Sequence, residues 1–342
     1  MKFVFAAYAS ALILLAACDG LTARATPAAP TATMSAGKTY TNPVYDDDFP
    51  DPFVLRVGGT YYAYATNVRS NNVPVLRSTD LATWDRLGDA LPVLPKWARS
   101  GAGLTWAPSV LPRRGRYVLY FTARDHASDR QCIGRAVADA PEGKFKDDSS
   151  QPFICQAQLG GSIDPSPFVD DDGSAWLLWK NDGNCCGLPV GLWIQRLSDD
   201  GLSLIGGPRE LLRHDRAWEG PLIEGPSMLK HNGKYYLFYS ANWYESADYA
   251  IGYAVADTII GPYAKITRDG PLFAKRGEVA GPGGQEFFTD LAGNLWMAYH
   301  AWKSRNVGYT NLGRRSLRLD RVRFEGDVPI LDGPTTDPQP LP

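Results

Sequence analysis

Three acidic residues stand at almost the same distance before a predicted hairpin turn. Asp51 lies eight residues, and Asp164 and Glu224 lie nine residues, before the glycine of the turn that follows each of them. Asp and Pro are common turn residues, so the Asp-Pro pair at 51–52 taken alone would be explained as a turn. A turn former has no reason to recur ahead of separate hairpins, however, and Glu suits a turn less well than Asp. We therefore predict that the three carboxylates meet in one pocket.

Carboxyl groups brought together in this way can hydrolyse a glycosidic bond. One protonates the leaving oxygen, while another acts as a base on water or as a nucleophile on the sugar. A third carboxylate nearby raises the pKa of its neighbour, which keeps an acid protonated near neutral pH. The alternative is a divalent-metal site, since hard cations also bind carboxylate clusters.

The elements that must position these residues are short strands joined in a repeat. Alternating apolar runs flank Gly-containing turns, and no long helical pattern follows residue 40. The turn glycines recur at steps of 56, 58, 60 and 60 residues, at Gly59, Gly115, Gly173, Gly233 and Gly293. Five units of similar length, each with several strands, predict an all-β fold, a five-bladed β-propeller; a β-sandwich would not explain the steps.

Each carboxylate is then predicted to stand at the head of the innermost strand of a blade, where the strands surround the central channel. The equivalent positions of the second and fifth units are Ala107 and Gln285. The pocket is thus expected to draw its carboxylates from blades one, three and four.

The chain resembles glycoside hydrolase family 43, the inverting enzymes that release arabinose and xylose. The resemblance runs from about residue 40 to about residue 325 and is carried by NPVYDDDFPDPFVLRVGGTYYAYAT, GGSIDPSPFVDDDGSAWLLWK and IEGPSMLKHNGKYYLFYSAN, in this order. It implies that Asp51 is the general base, that Glu224 is the general acid, and that Asp164 tunes the pKa of the acid and orients it. The family's Arg-x-Leu-x-Leu-Asp motif matches residues 315–320, which implies that Arg315 lies near the substrate, with Arg314 as the alternative.

Two further residues have implied roles, and one stretch departs from the family pattern. His300 stands where the family often places a histidine on a channel-bound ion or water network, which implies either contact with a structural calcium or a purely structural role. Trp106 either stacks on the sugar or closes its blade as a core residue. Many members have Gly-Pro-Gly-His before the fifth hairpin, whereas this chain has GPGGQEFF, with Gly284 or Gln285 in the place of that His. The blade-five side of the pocket is therefore expected to differ.

The resemblance implies a glycosidase that acts on arabinose- or xylose-containing plant polysaccharide and needs no cofactor for its chemistry. Many family β-xylosidases carry an added β-sandwich, and the chain has no length for one after the fifth unit, so α-L-arabinofuranosidase or arabinanase activity is favoured over β-xylosidase activity. A retaining fructosidase-like propeller competes, but its Asn-Asp-Pro-Asn-Gly motif is absent, since Pro52-Phe53 follow Asp51. The remaining alternative is a non-catalytic carbohydrate-binding surface lipoprotein, which would not need an acid, a base and a modulator together.

The N-terminal segment predicts export. Residues 1–18 have a charged start and a short apolar run that ends Leu-Ala-Ala-Cys18, similar to a bacterial lipobox. Cleavage there would leave Cys18 as a lipidated terminus anchored in the bacterial cell envelope; the alternative is ordinary secretion to the periplasm or the medium. Residues 19–38, rich in Ala, Thr and Pro, are predicted to be a flexible linker, and residues 39–342 the catalytic domain.

Composition indicates the class of protein and its partners. The 342 residues are 44% hydrophobic and 21% charged, with a net charge of −2, which is typical of a globular protein with a large core. Because there is no long basic run, nucleic acid is not an expected partner. An exported chain can form disulfides; Cys132–Cys155 is the favoured pair, while Cys185 and Cys186 either pair with each other or stay reduced.

Overall fold

The computed structural model describes residues 1–2, 38–101 and 103–341. The predicted signal peptide and linker therefore lie almost entirely outside the described residues. Within the described part of the chain, no helix has the length and apolar character needed to span a bilayer.

Short strands make up nearly all the regular structure of residues 38–341. The strands are β1 Thr39–Tyr40, β2 Phe53–Val57, β3 Thr60–Tyr64, β4 Pro74–Ser78, β5 Asp85–Asp89, β6 Trp106–Arg113, β7 Arg116–Arg124, β8 Gln131–Ala138, β9 Ser162–Val169, β10 Ala175–Asn181, β11 Gly191–Leu197, β12 Leu204–Arg213, β13 Ile223–His231, β14 Lys234–Ala241, β15 Ala250–Ala256, β16 Ala264–Lys265, β17 Val279–Thr289, β18 Leu295–Lys303, β19 Ser316–Glu325, β20 Val328–Leu331 and β21 Gln339–Pro340. The 3₁₀ helices of the described residues are Ala157–Leu159, Gly183–Cys186, Ala217–Glu219 and Tyr309–Asn311.

The strands form five small antiparallel sheets in a ring, which confirms the predicted five-bladed propeller. Their orders are β2-β3-β4-β5, β6-β7-β8, β9-β10-β11-β12, β13-β14-β15-β16 and β17-β18-β19-β20. The first strand of each sheet contacts the first strands of its two neighbours, so these five strands surround the central channel. Blade two has three strands, and Lys146 bridges Val137 where a fourth strand would pair.

The hydrophobic core is divided into five clusters, one at each interface between neighbouring blades. Successive side chains of a strand point to opposite faces. On β14, Tyr236 and Phe238 therefore pack toward blade five, while Leu237 and Tyr239 pack toward blade three. Because both faces of each sheet are covered, the second strands are apolar almost throughout, and the hairpin runs seen in the sequence are buried on both sides.

The two ends of residues 38–341 meet beside blade five and close the ring. β1 pairs with β21, and Tyr45 bridges Leu317 of β19. Asn42, which is buried, donates to the carbonyl of Leu319 and accepts from its amide, and it also donates to Thr335. These bonds connect the segment that leads to the aspartates of residues 46–51 to the last blade.

Both cysteine pairs form disulfides. Cys132 and Cys155 are bonded, as predicted, and join β8 to the segment that leads into blade three. Cys185 and Cys186, for which pairing was left open, are bonded to each other in the loop after β10.

Candidate active site

One residue in each blade has a left-handed backbone at the point where the inner strand reaches the channel mouth. These residues are Asp51 with a φ of 51°, Ala107 with 42°, Asp164 with 56°, Gly225 with 55° and Gly284 with 60°. In blades two to five the strand register shifts at this point, which is the mark of a β-bulge. A left-handed backbone costs a non-Gly residue about 1–2 kcal/mol, and such outliers concentrate at functional sites.

The predicted positions agree with this ring in three blades and are one residue off in the other two. Asp51, Ala107 and Asp164 are the kinked residues themselves, whereas in blades four and five the kinked residues are Gly225 and Gly284. Glu224 and Gln285 are therefore not equivalent to the two aspartates. The distance to the turn glycine misled the prediction because the hairpins differ by one residue in length. Glu224 nevertheless lines the same pocket as Asp51 and Asp164, so the three carboxylates converge as predicted.

The five residues with a left-handed backbone form a first ring around the channel mouth. Five polar side chains from the neighbouring strands form a second ring. Each member sits on or just after the second strand of its blade, opposite the residue that precedes the kink. All five are buried: Thr66, Thr122, Lys180, Ser240 and His300. Four of them hold parts of the pocket by hydrogen bonds.

Asp51 is held from three directions. Its Oδ2 accepts a hydrogen bond of 2.6 Å from Thr66, and its Oδ1 accepts one of 3.3 Å from Arg315. Its backbone N–H donates to Nδ1 of His300 at 3.0 Å. Burial, and then the charge of Arg315, hold the pKa of His300 well below its ordinary value. The ring is therefore neutral, and its 3.3 Å approach to Asp51 Oδ1 is a contact and not an ion pair.

Glu224 has a donor on each carboxylate oxygen. Nζ of Lys180 lies 2.8 Å from Oε2, and the hydroxyl of Tyr249 lies 2.9 Å from Oε1. Lys180 is completely buried and lies 3.8 Å from Asp182. Burial alone lowers the pKa of Lys180, but Glu224, Asp182 and Asp164 outweigh it, so the pKa is raised and the lysine stays charged.

Asp164 lines the same cavity, and its acidity is strongly perturbed. Its Oδ2 accepts a hydrogen bond of 3.0 Å from the backbone N–H of Gly225, the residue after Glu224. Desolvation, and then the charge of Glu224, raise the pKa of Asp164 to about 8, against the opposing effect of Lys180. A raised pKa on Asp164 itself was not anticipated from the sequence.

The three carboxylates line a cavity of about 740 Å³, a volume typical of small-molecule sites. Trp106 and Arg315, both predicted to bind substrate, lie in its wall. The Arg315 guanidinium packs over the ring of Tyr244 at 4.8 Å, and its Nε donates to the hydroxyl of Tyr309. Trp243, 45% exposed, also lines the cavity and offers a flat ring for a ligand.

His300 has one nitrogen left for a metal ion. Nδ1 accepts the hydrogen bond from Asp51, and Nε2 is buried without a hydrogen-bond partner among the described residues. Across that part of the chain, the one group of three possible metal ligands is Asp125 with Cys132 and Cys155. It lies outside the cavity lining, and its two sulfurs form a disulfide. Contact between Nε2 of His300 and a bound ion therefore stays a prediction.

The sequence interpretation missed Lys180, Asp182 and Tyr249. A usable signal was present, because the five members of the second ring each lie seven residues after a turn glycine. At that spacing a polar residue interrupts an apolar strand in every repeat. Tyr249 gave no comparable signal, since it precedes β15 in a loop of blade four.

This arrangement can perform acid–base chemistry on a bound molecule. Asp51 and Glu224 belong to blades separated by one other blade, and each is fixed by its own set of donors. Asp164 adds a group that binds a proton near neutral pH. A cavity with two separated carboxyl groups is what hydrolysis of a glycosidic bond requires.

Comparison with known proteins agrees with this chemistry. The family model of glycosyl hydrolases family 43 matches residues 40–329. A β-D-galactofuranosidase of Aspergillus niger is 28% identical over 317 residues, covering 88% of this chain and 86% of that protein. A xylosidase/arabinosidase of Butyrivibrio fibrisolvens is 26% identical over 308 residues, and this chain covers 56% of its length. Several other matching relatives are named as extracellular enzymes.

Solved structures show the same architecture. A thermostable family-43 glycoside hydrolase is 32% identical and superposes with a TM-score of 0.78. The match covers 89% of this chain and 99% of that one.

Proposed function

The chain belongs to glycosyl hydrolases family 43 and is a glycosidase, and we propose that it cleaves its substrate by inversion at the cavity described above. The observation that carries the proposal is the convergence of Asp51, Asp164 and Glu224 on one cavity, with Asp51 and Glu224 on different blades. Each carboxylate is given a separate role.

Glu224 is the proposed general acid. It protonates the oxygen of the leaving sugar as the bond to the anomeric carbon breaks. The donors at its two oxygens stabilise the carboxylate that remains. Asp164 supports this step in two ways: it holds the backbone beside the acid through Gly225, and it carries a proton near neutral pH, which limits the negative charge around Glu224.

Asp51 is the proposed general base. It takes a proton from a water molecule that attacks the opposite face of the anomeric carbon. Its bonds to Thr66 and Arg315 fix the direction of the carboxylate, and His300 fixes the backbone from which it projects. No cofactor enters the proposed chemistry, and no step is assigned to a metal ion.

The proposed substrate is an arabinose- or xylose-containing plant polysaccharide, with α-L-arabinofuranosidase or arabinanase activity ahead of β-xylosidase activity. The name of the xylosidase/arabinosidase relative supports this range, whereas that of the galactofuranosidase adds β-D-galactofuranosides as a further substrate to test. Arg315 is assigned to the sugar in the cleaved position, and Trp106 and Trp243 to stacking on sugar rings. Assays on the 4-nitrophenyl α-L-arabinofuranoside, β-D-xyloside and β-D-galactofuranoside, followed by product analysis on arabinan, arabinoxylan and xylan, test the choice of substrate.

Substitution of the two working carboxylates tests the roles. Asp51→Asn and Glu224→Gln should each lower kcat on an oligosaccharide by about 10²–10⁴-fold, the usual contribution of a general acid or base. Asp199→Asn and Glu210→Gln are matched controls, because these carboxylates form ion pairs away from the cavity. Parental rates in either cavity variant would reject the assignment, as would equal losses in the controls.

Export and anchoring through Cys18 are proposed from the N-terminal sequence alone. A Cys18→Ala protein should move from the detergent phase to the aqueous phase in Triton X-114 partitioning and lose labelling by radioactive palmitate. Unchanged detergent partitioning would show that the lipobox interpretation is wrong.

A further inference from the structure

Lys180 is a charged group in a position where charge is not needed for the fold. It belongs to the second polar ring, whose other members are uncharged: Thr66, Thr122, Ser240 and the neutral His300. Threonine and serine fill the same place in three blades, so the strand geometry does not require a lysine. Burying an ammonium group is unfavourable unless it is paired. A buried lysine at this position of blade three therefore indicates a role in the site.

The partners of Lys180 supply that reason. Its Nζ lies 2.8 Å from Oε2 of Glu224 and 3.8 Å from Asp182. An ammonium group has donors and no acceptor, so the oxygen it faces must accept. Oε2 of Glu224 is thus occupied as an acceptor. A transferable proton on Glu224 must then reside on Oε1, beside the hydroxyl of Tyr249, which can donate to or accept from that oxygen.

We propose that Lys180 is a positioning residue for the general acid, which keeps Oε2 of Glu224 as an acceptor, directs the catalytic proton to Oε1 and stabilises the carboxylate left after proton transfer. This inference rests on the proposed function. No covalent bond to Lys180 forms or breaks: the proton leaves Oε1 for the glycosidic oxygen, and the charge that appears on Glu224 is met by the ammonium group at 2.8 Å.

Asp182 balances the lysine from the other side. It is 6% exposed, and burial raises its pKa to about 6, opposed by the charge of Lys180. Asp182 places a second negative charge beside the ammonium group, so the charge of Lys180 does not act on Glu224 alone. The pair Lys180–Asp182 is therefore expected to set how readily Glu224 gives up its proton.

Several other charged or titratable groups act on Glu224. Asp164 projects from β9, Asp51 precedes β2, and Tyr244 and Tyr249 lie between β14 and β15. All of these groups either carry negative charge or acquire it on ionisation. Lys180, at 2.8 Å, is the positive charge closest to Glu224 among the described residues. Its removal should make Glu224 harder to ionise.

Leaving-group dependence tests the inference. A nitrophenolate leaves with little help from an acid, whereas a sugar alkoxide must be protonated. Lys180→Met should lower kcat on an oligosaccharide by about 10–100-fold, lower kcat on the matching 4-nitrophenyl glycoside by less than about threefold, and leave KM nearly unchanged. The alkaline limit of oligosaccharide hydrolysis should move to higher pH, and Asp182→Asn should move it to lower pH.

Lys265→Met is the matched control. Lys265 is also a buried lysine, 2.7 Å from Glu219, but neither residue lines the cavity. It should lower stability without changing the ratio of the two substrates. If Lys180→Met does not fold, Lys180→Gln and Lys180→Arg give the same comparison, with Arg retaining more of the oligosaccharide activity.

The outcomes separate this inference from the proposed function. The role of Lys180 would be overturned if Lys180→Met lost activity equally on both substrates, or on neither, while Glu224→Gln stayed inactive on the oligosaccharide. The acid assignment would then remain intact. Full oligosaccharide activity in Glu224→Gln would overturn both.

Discussion

At the scale of single residues, the site depends on ionisable side chains whose protonation the surrounding protein changes. The Asp-Pro pairs of blades one and three kink the chain at the channel mouth. The left-handed backbone at Asp51 and Asp164 forms this kink and places the carboxylate at the cavity. Both aspartates are therefore pocket residues, and a role as turn formers alone does not explain them.

The raised pKa of Asp164 predicts a pH-dependent stability. The value is about 8 in the folded protein against an ordinary value of 3.8, so the folded state binds a proton that the unfolded state lacks between these limits. Stability should therefore fall as pH rises from about 4 to about 8. Asp164→Asn removes this contribution and keeps an acceptor for the Gly225 amide.

Thermal melting of both proteins checks that prediction. Asp164→Asn should melt above the parent at pH 8.5, and the difference should shrink toward pH 5. Burial also raises the pKa of Glu286 to about 8. Because both proteins contain Glu286, it contributes equally to the pH dependence of melting in both. A melting difference that is constant across this range would contradict the raised pKa of Asp164.

At the scale of elements, the inner strands carry the site because their bulges kink toward the channel mouth. Blade five shows why its kinked residue is glycine. A Cβ on Gly284 would lie 2.7 Å from Nδ1 of His300 and 2.9 Å from Oδ1 of Asp51. The departure from Gly-Pro-Gly-His noted in the sequence thus lets the backbone of blade five approach Asp51, the proposed base. Gln285 accepts a hydrogen bond from Ser240 and donates one to the carbonyl of Gly225 across the interface with blade four.

Two glycine substitutions in blade five separate backbone strain from this close approach. Gly284→Ala should lower kcat by about tenfold or more, since a shift of about 1 Å at a catalytic group can cost 10²-fold. Gly293→Ala has a similar φ of 82°, but a Cβ there meets nothing within 4 Å. It should cost only the strain, about 1–2 kcal/mol of stability, with kcat retained. Equal kcat values for the two variants would show that the contact at Gly284 does not matter.

At the scale of the whole molecule, the propeller brings together residues that are far apart in sequence and closes its ring where the two ends of residues 38–341 meet. Asn42→Ala should lower the free energy of unfolding by about 1–3 kcal/mol, because it leaves the buried amide of Leu319 without its partner, while the carbonyl keeps its hydrogen bond from Tyr40. Activity per folded molecule should be unchanged, since Asn42 does not line the cavity. Urea unfolding measures the difference, and Asn306→Ala, which loses a more exposed bond, should cost less than about 0.5 kcal/mol. Equal costs would argue against ring closure by Asn42.

Much of this architecture was predictable because the turn glycines mark each repeat and the repeat length specifies a radial fold. The convergence of Asp51, Asp164 and Glu224 followed from that repeat. The one-residue error in blades four and five arose because hairpin length varies while the bulge stays at the channel mouth. The seven-residue spacing from the turn glycine marks the position of Lys180, but its role depends on which strand faces Glu224, which a single sequence does not give.

The central claim is that Asp51 and Glu224 act as base and acid in an inverting hydrolysis, and the configuration of the first-formed sugar tests it most directly. An inverting site holds its carboxyl groups about 6.5–9.5 Å apart with water between them, whereas a retaining site holds them about 5–5.5 Å apart and forms a glycosyl-enzyme. Proton NMR of the reaction with the best 4-nitrophenyl glycoside, recorded before mutarotation, identifies that anomer. We predict the anomer opposite to that of the substrate. Release of the same anomer would contradict the account, even in a fully active enzyme.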